Sequence, residues 1–91
     1  MVINMAGDPP TFDATSPVPI YMQIADYVAA QVASGQLKQG SRLPAERDLA
    51  DQWGVAYLTV RRAMRELRER SLVTSVIGKG TFITGGPGQQ P

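Results

Sequence analysis

Apolar residues recur at helical spacing in three stretches of this chain, and a fourth stretch has the composition of strands. Ile20, Ile24, Tyr27, Val28 and Val32 fall at i, i+4, i+7, i+8 and i+12. They predict a first helix from about Ile20 to Ser34, with Pro19 suited to its first turn and Gly35 to its end. Leu37 is expected to fold back onto the same core, and Gln39-Gly40-Ser41 to make a turn. Ala45, Leu49 and Trp53 line one face of a second helix, from about Ala45 to Trp53, which Gly54 ends. A third helix, Tyr57 to Arg70, turns Val60, Ala63, Met64 and Leu67 inward. Leu72 to Val76 and Thr81 to Thr84 are β-branched and apolar enough for strands, and Gly78-Lys79-Gly80 between them is a hairpin signal. Phe82 is expected to anchor that hairpin in the core. Trp53 and Tyr27 lie on apolar stripes, which assigns them to packing.

The order of these elements matters more than any one of them. A helix, the tight turn Gly54-Val55-Ala56, a basic helix and a hairpin make the layout of a winged helix-turn-helix: mainly α, three helices and a small β-wing. Residues 1–17 contain Gly7, Pro9, Pro10 and Pro17, show no periodicity and read as a loose N-terminal arm. The domain proper is expected over 18–84. Residues 85–91, GGPGQQP, read as a flexible tail.

Composition narrows the chemistry. The 91 residues suit one small domain, and they include neither cysteine nor histidine. Disulfides, a thiol nucleophile and thiolate zinc sites are excluded, as is the commonest general base. No cofactor or metal is called for, and an enzyme is not expected. Asp48 with Asp51, and Glu66 with Glu69, read as surface charges. No apolar run reaches membrane-spanning length, and residues 1–18 lack the pattern of a secretory signal, so the expected location is the cytoplasm. The net charge is only +1, but it is polarised. Before Arg42 one lysine faces three aspartates, a net of −2. From Arg42 onward eight basic residues face five acidic ones, a net of +3.

The basic half supplies the candidate contacts. Tyr57, Arg61 and Arg65 are spaced by four and share a face of the third helix, with Leu58 and Arg62 beside them. In a helix-turn-helix the N-terminal residues of the second helix reach base edges. Arg61 is the candidate base reader, through the two hydrogen bonds that a guanidinium can give guanine, with Thr59 and Tyr57 beside it. Arg62 and Arg65 suit phosphates. The bland alternative is a solvated helix held by Glu66 with Arg62 and Arg70, and by Arg65 with Glu69, pairs worth a few tenths of a kcal/mol each. Arg47, in the first turn of the second helix, either anchors a phosphate or pairs with Asp48 or Asp51. Gly78 and Gly80 would let the wing backbone lie close to a sugar-phosphate chain, with Lys79 supplying charge; otherwise the three residues are only a tight, soluble hairpin.

Residues Ile20 to Phe82 resemble the N-terminal DNA-binding domain of the GntR family of bacterial regulators. The likeness is carried by PIYMQIADYVAAQVASGQLKQGSRLPAERDLADQWGV, by TVRRAMRELRER and by the GKGTF wing. It implies a winged helix that binds palindromic operators as a dimer, usually to repress. It also implies DNA contacts at Arg47, Thr59, Arg61 and Gly78. Where the family often has Ser-Arg-Thr-Thr, this chain has Ala56-Tyr57-Leu58-Thr59, so the family's operator sequence does not carry over. Ala45 and Ala56 stand where the family often has a serine N-cap, and Ser71 where it often has glycine. The family usually adds a C-terminal effector-binding and dimerising domain. These 91 residues hold no counterpart, so the chain is either a stand-alone module or a piece of a longer product. Effector control is not supported by it, and a weak or DNA-assisted homodimer is expected. A protein-interaction module using the same helix and wing is the second hypothesis, and non-specific chromosome binding the third.

Overall fold

A computed structural model describes residues 10–85. Three helices, α1 (Ile20–Ala33), α2 (Glu46–Trp53) and α3 (Tyr57–Glu69), precede an antiparallel hairpin of β1 (Val73–Val76) and β2 (Gly80–Ile83). Each helix buries the stripe that its periodicity predicts, with small adjustments. Ile24, Ala25, Val28 and Val32 of α1 and Leu49, Ala50 and Trp53 of α2 are buried. Val60, Ala63, Met64 and Leu67 of α3 join them in a single core. Ile20, Tyr27 and Leu37 pack around its edge. Ala45 does not join the α2 stripe. It is the exposed N-cap of α2, and Ala50 fills the inward position instead.

The helix boundaries follow local chemistry. Pro19, Ala45 and Ala56 are the three N-caps, and none has a side chain that caps. Gly54 closes α2 in the left-handed region at φ 65°, where glycine carries no Cβ penalty. At the end of α3, Ser71 N–H donates to Arg68 O and Leu72 N–H to Leu67 O, each at 3.0 Å. That pair of bonds is a Schellman motif, and it forces Ser71 to φ 62°. A left-handed L-residue costs roughly 1–2 kcal/mol, partly offset because glycine loses more freedom on folding. Ser71→Gly is therefore expected to stabilise the domain by about 0.5–1 kcal/mol, read as a raised urea midpoint. An unchanged or lowered midpoint would show that the serine is not strained.

The hairpin register pairs Val73 with Ile83 and Thr74 with Phe82. Side chains alternate along a strand, so Val73 and Ile83 turn inward together while Phe82 lies on the other face. Ile83, 1% exposed, is thus the wing's anchor, correcting the expectation for Phe82, which is only half-buried. The linker between α1 and α2 adds a third edge. Leu43 N–H donates to Thr81 O, Ile83 N–H to Ser41 O and Gly40 N–H to Ile83 O, and Arg42 bridges to Phe82. The wing is therefore tied along β2 to the segment that enters α2.

The expected loose arm needs correction over residues 10–17. Phe12 packs edge-on against both Tyr27 and Trp53, with ring centroids 6.1 and 6.0 Å away. Gln23 of α1 accepts from Asp13 N–H and donates to Asp13 O and Val18 O, each at 2.8 Å. Asp13 in turn accepts from the Thr15 hydroxyl and N–H, which hold its carboxyl below the usual carboxylate range. The expected tail also starts one residue late: Gly85 is buried and donates to Leu72 O. The rest of the arm, 1–9, and of the tail, 86–91, lies outside the described residues. Among the described residues no helix is long and apolar enough to cross a membrane.

Candidate nucleic-acid interface

The candidate contacts lie on the α2 N-terminus, the outward face of α3 and the wing. Arg47, Glu46 and Arg61 join the first two, and the Leu43–Thr81 bond ties the third to the entry of α2. The buried stripe of α3 is Val60, Ala63, Met64 and Leu67, so the opposite side of the helix is solvent-facing. Leu58, Arg61, Arg62, Arg65 and Arg68 are all exposed there. Ala56 leaves the first N–H groups of α3 without a capping side chain, and such N–H groups suit an anion.

Tyr57 organises the first turn. Its ring is half-buried against the core, and the Arg47 guanidinium lies over it, 4.2 Å from the centroid. The Arg61 guanidinium stands 5.9 Å from the same ring, and its Nε is 3.8 Å from Glu46 Oε1. The α2 and α3 arginines therefore converge on one aromatic platform. In the free protein Arg47 stacks on Tyr57, and among the described residues it forms no ion pair with Asp48 or Asp51, the bland one of its two expected readings. Tyr57 itself supports arginines across the helix-turn-helix. A ring held under a guanidinium contributes about 0.5–1 kcal/mol at an exposed site and reduces the rotamers to be frozen on binding.

Other candidates separate. The Arg62 guanidinium lies 4.1 Å from the Tyr21 ring of α1, so this residue is drawn to the α1 side, beside Arg65, Glu66 and Glu69. Thr59 is half-buried and lines the groove shared with Phe12, Ile20 and Trp53. The solvated-helix alternative keeps one of its pairs, Arg70 with Glu66 at 2.9 Å. Arg70 also reaches Asp26 of α1 at 2.9 Å, and these two partners, Glu66 first, raise its already high pKa. It is a strut between α1 and α3. Arg68 donates to Ser75 Oγ of β1 at 3.2 Å, which braces the wing against α3.

The wing tip is open. Gly78 has φ 78° and nothing within 4 Å of an added Cβ, so its backbone can be approached closely. Lys79 is exposed, and its N–H donates to Val76 O to close the turn. Gly80, at φ 118°, has a second constraint: a Cβ there would stand 2.8 Å from Arg42 Nε. Arg42 thus lies against the wing beside its tip and adds a positive charge there. Sequence reasoning counted its charge without giving it a place. The signal was the alternation of Arg42 with the buried Leu43, which sends the arginine outward.

A family profile described as "Bacterial regulatory proteins, gntR family" matches residues 20–83. The chain belongs to the GntR family. It is similar to the Escherichia coli mannosyl-D-glycerate transport/metabolism system repressor MngR, at 45% identity over 65 residues. That match covers 71% of this chain and 27% of the relative. Among solved structures it resembles YtrA from Sulfolobus acidocaldarius, a GntR-family transcription factor, at 36% identity and a TM-score of 0.76. The likeness covers 82% of this chain and 79% of that one. The DNA-binding domain of AraR in complex with an operator superposes with a TM-score of 0.74 at 28% identity, over 84% of this chain and 96% of that one.

The chain spans just over a quarter of the length of the curated relatives it matches. The matched segment coincides with the helical core and hairpin, so this GntR-family chain carries the three-helix winged fold expected of it. The family glycine replaced by Ser71 also gains a physical reason: the position is the left-handed residue that follows the C-cap, Arg70, of α3.

Proposed function

We propose that this chain is the sequence-specific DNA-binding part of a bacterial transcriptional regulator, a repressor rather than an enzyme, acting in the cytoplasm. Helix α3 enters the major groove, and the Gly78-Lys79-Gly80 tip lies at the adjacent minor groove. The observation that carries this reading is the convergence of Arg47 and Arg61, from the two helices of the helix-turn-helix, on the Tyr57 ring. Two guanidiniums held at the head of a solvent-facing helix suit a guanine edge and a flanking phosphate. Arg61 and Leu58 face bases. Arg47, Arg65, Arg42 and Lys79 face the backbone, and Arg62 reaches it after leaving Tyr21. The repressor relatives and the operator-bound neighbour support the same reading.

The operator is palindromic, and two copies place their α3 helices on half-sites about one helical turn, roughly 34 Å, apart. Pairing is weak in the free chain and completed on DNA. The test is fluorescence-anisotropy binding of the labelled duplex upstream of its own gene, against a scrambled duplex, at several salt concentrations. Tight, selective binding is expected, with log affinity falling linearly in log salt by about 0.9 per phosphate neutralised. Equal, weak binding to both duplexes would reduce the interaction to charge attraction and return attention to a protein partner.

A further inference from the structure

We infer that Leu58 reads a thymine through its 5-methyl group and so fixes one base of each half-site by apolar contact. The inference rests on the DNA-binding reading above. Leu58, Arg61, Arg62 and Arg65 occur at i, i+3, i+4 and i+7 and form one stripe on the exposed side of α3. Three of the four are arginines. The first is a leucine, 67% exposed, in the opening turn where a recognition helix comes nearest to base edges. It stands apart from the core: Tyr57 and Val60 on the same turn pack inward, and Leu58 does not.

The chemistry of the duplex selects its partner. In the major groove the base edges present acceptors, donors and a single apolar group, the thymine methyl. Leucine neither donates nor accepts a hydrogen bond. Set against a cytosine or guanine edge it would strip water from polar groups and give nothing back. Set against a methyl it removes apolar surface from water on both sides. The other exposed large hydrophobic residues of the described chain cannot take this part. Val76 and Ile77 lie on the wing and Val18 precedes α1, whereas the methyl is displayed only in the major groove.

The test starts by selecting operators from random duplexes with the 91-residue protein. Each selected thymine is then replaced singly by 2′-deoxyuridine, which deletes the methyl and keeps every hydrogen-bonding group. Wild-type protein is expected to bind about fourfold more weakly at one position per half-site, the worth of one methyl-sized group returned to water. Leu58→Ala is expected to bind the thymine and uracil operators alike; an exposed position makes the variant fold normally, which circular dichroism checks. A uracil penalty that persists in Leu58→Ala, or no penalty at any position, overturns the contact while leaving sequence-specific binding intact. Failure to select any operator removes the DNA reading and the leucine's role together.

Discussion

Arg61→Ala is expected to weaken operator binding by about 1–3 kcal/mol, a loss of roughly 5- to 150-fold, and to relax the sequence requirement at one position. The magnitude follows from what a bidentate arginine gives a guanine that alanine cannot. In the free protein this guanidinium is lightly engaged. Its pairing with Glu46 is 3.8 Å long, with the arginine side chain 57% exposed. Such a pair contributes at most about 1 kcal/mol, so leaving it for a base edge costs little. The thermal midpoint should therefore stay near the wild-type value while affinity falls. Arg65→Ala gives the contrast. It should weaken binding to operator and scrambled duplex by the same factor and lower the salt slope by about 0.9, the mark of one lost phosphate contact. The two variants are compared by anisotropy on the operator and on all its single-base changes. If Arg61→Ala keeps the wild-type base preferences, Arg61 is not a reader.

Leu67→Ala should cost about 2–5 kcal/mol of stability, the range for a leucine that leaves a cavity. Leu67 is fully buried on α3, in the same core cluster as Val73 and Ile83 of the hairpin. A domain of this size has only about 5–15 kcal/mol in total, so the variant gives up a large share of its stability. The measurement is urea unfolding followed by circular dichroism. A decrease below 1 kcal/mol would mean that the site collapses around the smaller side chain. Because α3 carries both the core stripe and the DNA face, lost operator binding in this variant should return when the folded state is favoured by cooling. Arg61→Ala should show no such recovery.

The helices were legible because long amphipathic segments announce their inward face. Val60, Ala63, Met64 and Leu67 leave α3 no other way to turn. The wing was legible from its glycines, but its anchor was not. Phe82 and Ile83 are adjacent and both apolar, so alternation alone cannot choose between them; the pairing of Ile83 with Val73 decides. Phe12 was illegible for a related reason. A lone aromatic among prolines and polar residues has no period, and only the meeting with Tyr27 and Trp53 gives it a role. At the site, Arg61, Arg65 and Lys79 follow from helical spacing and turn chemistry. The stacking of Arg47 on Tyr57, of Arg62 on Tyr21, and the place of Arg42 over Gly80 are contacts between different elements of the chain. Spacing within one helix does not encode them.

The chain contains one tryptophan, and it is Trp53, 6% exposed, where α2 turns toward α3 and Phe12 closes over it. Its emission is consequently a built-in optical gauge of that corner. A blue-shifted spectrum reports the N-terminal segment seated on the helix-turn-helix. A red shift at denaturant concentrations too low to melt the helices would report that segment peeling away first. No extrinsic dye is needed to tell the two events apart.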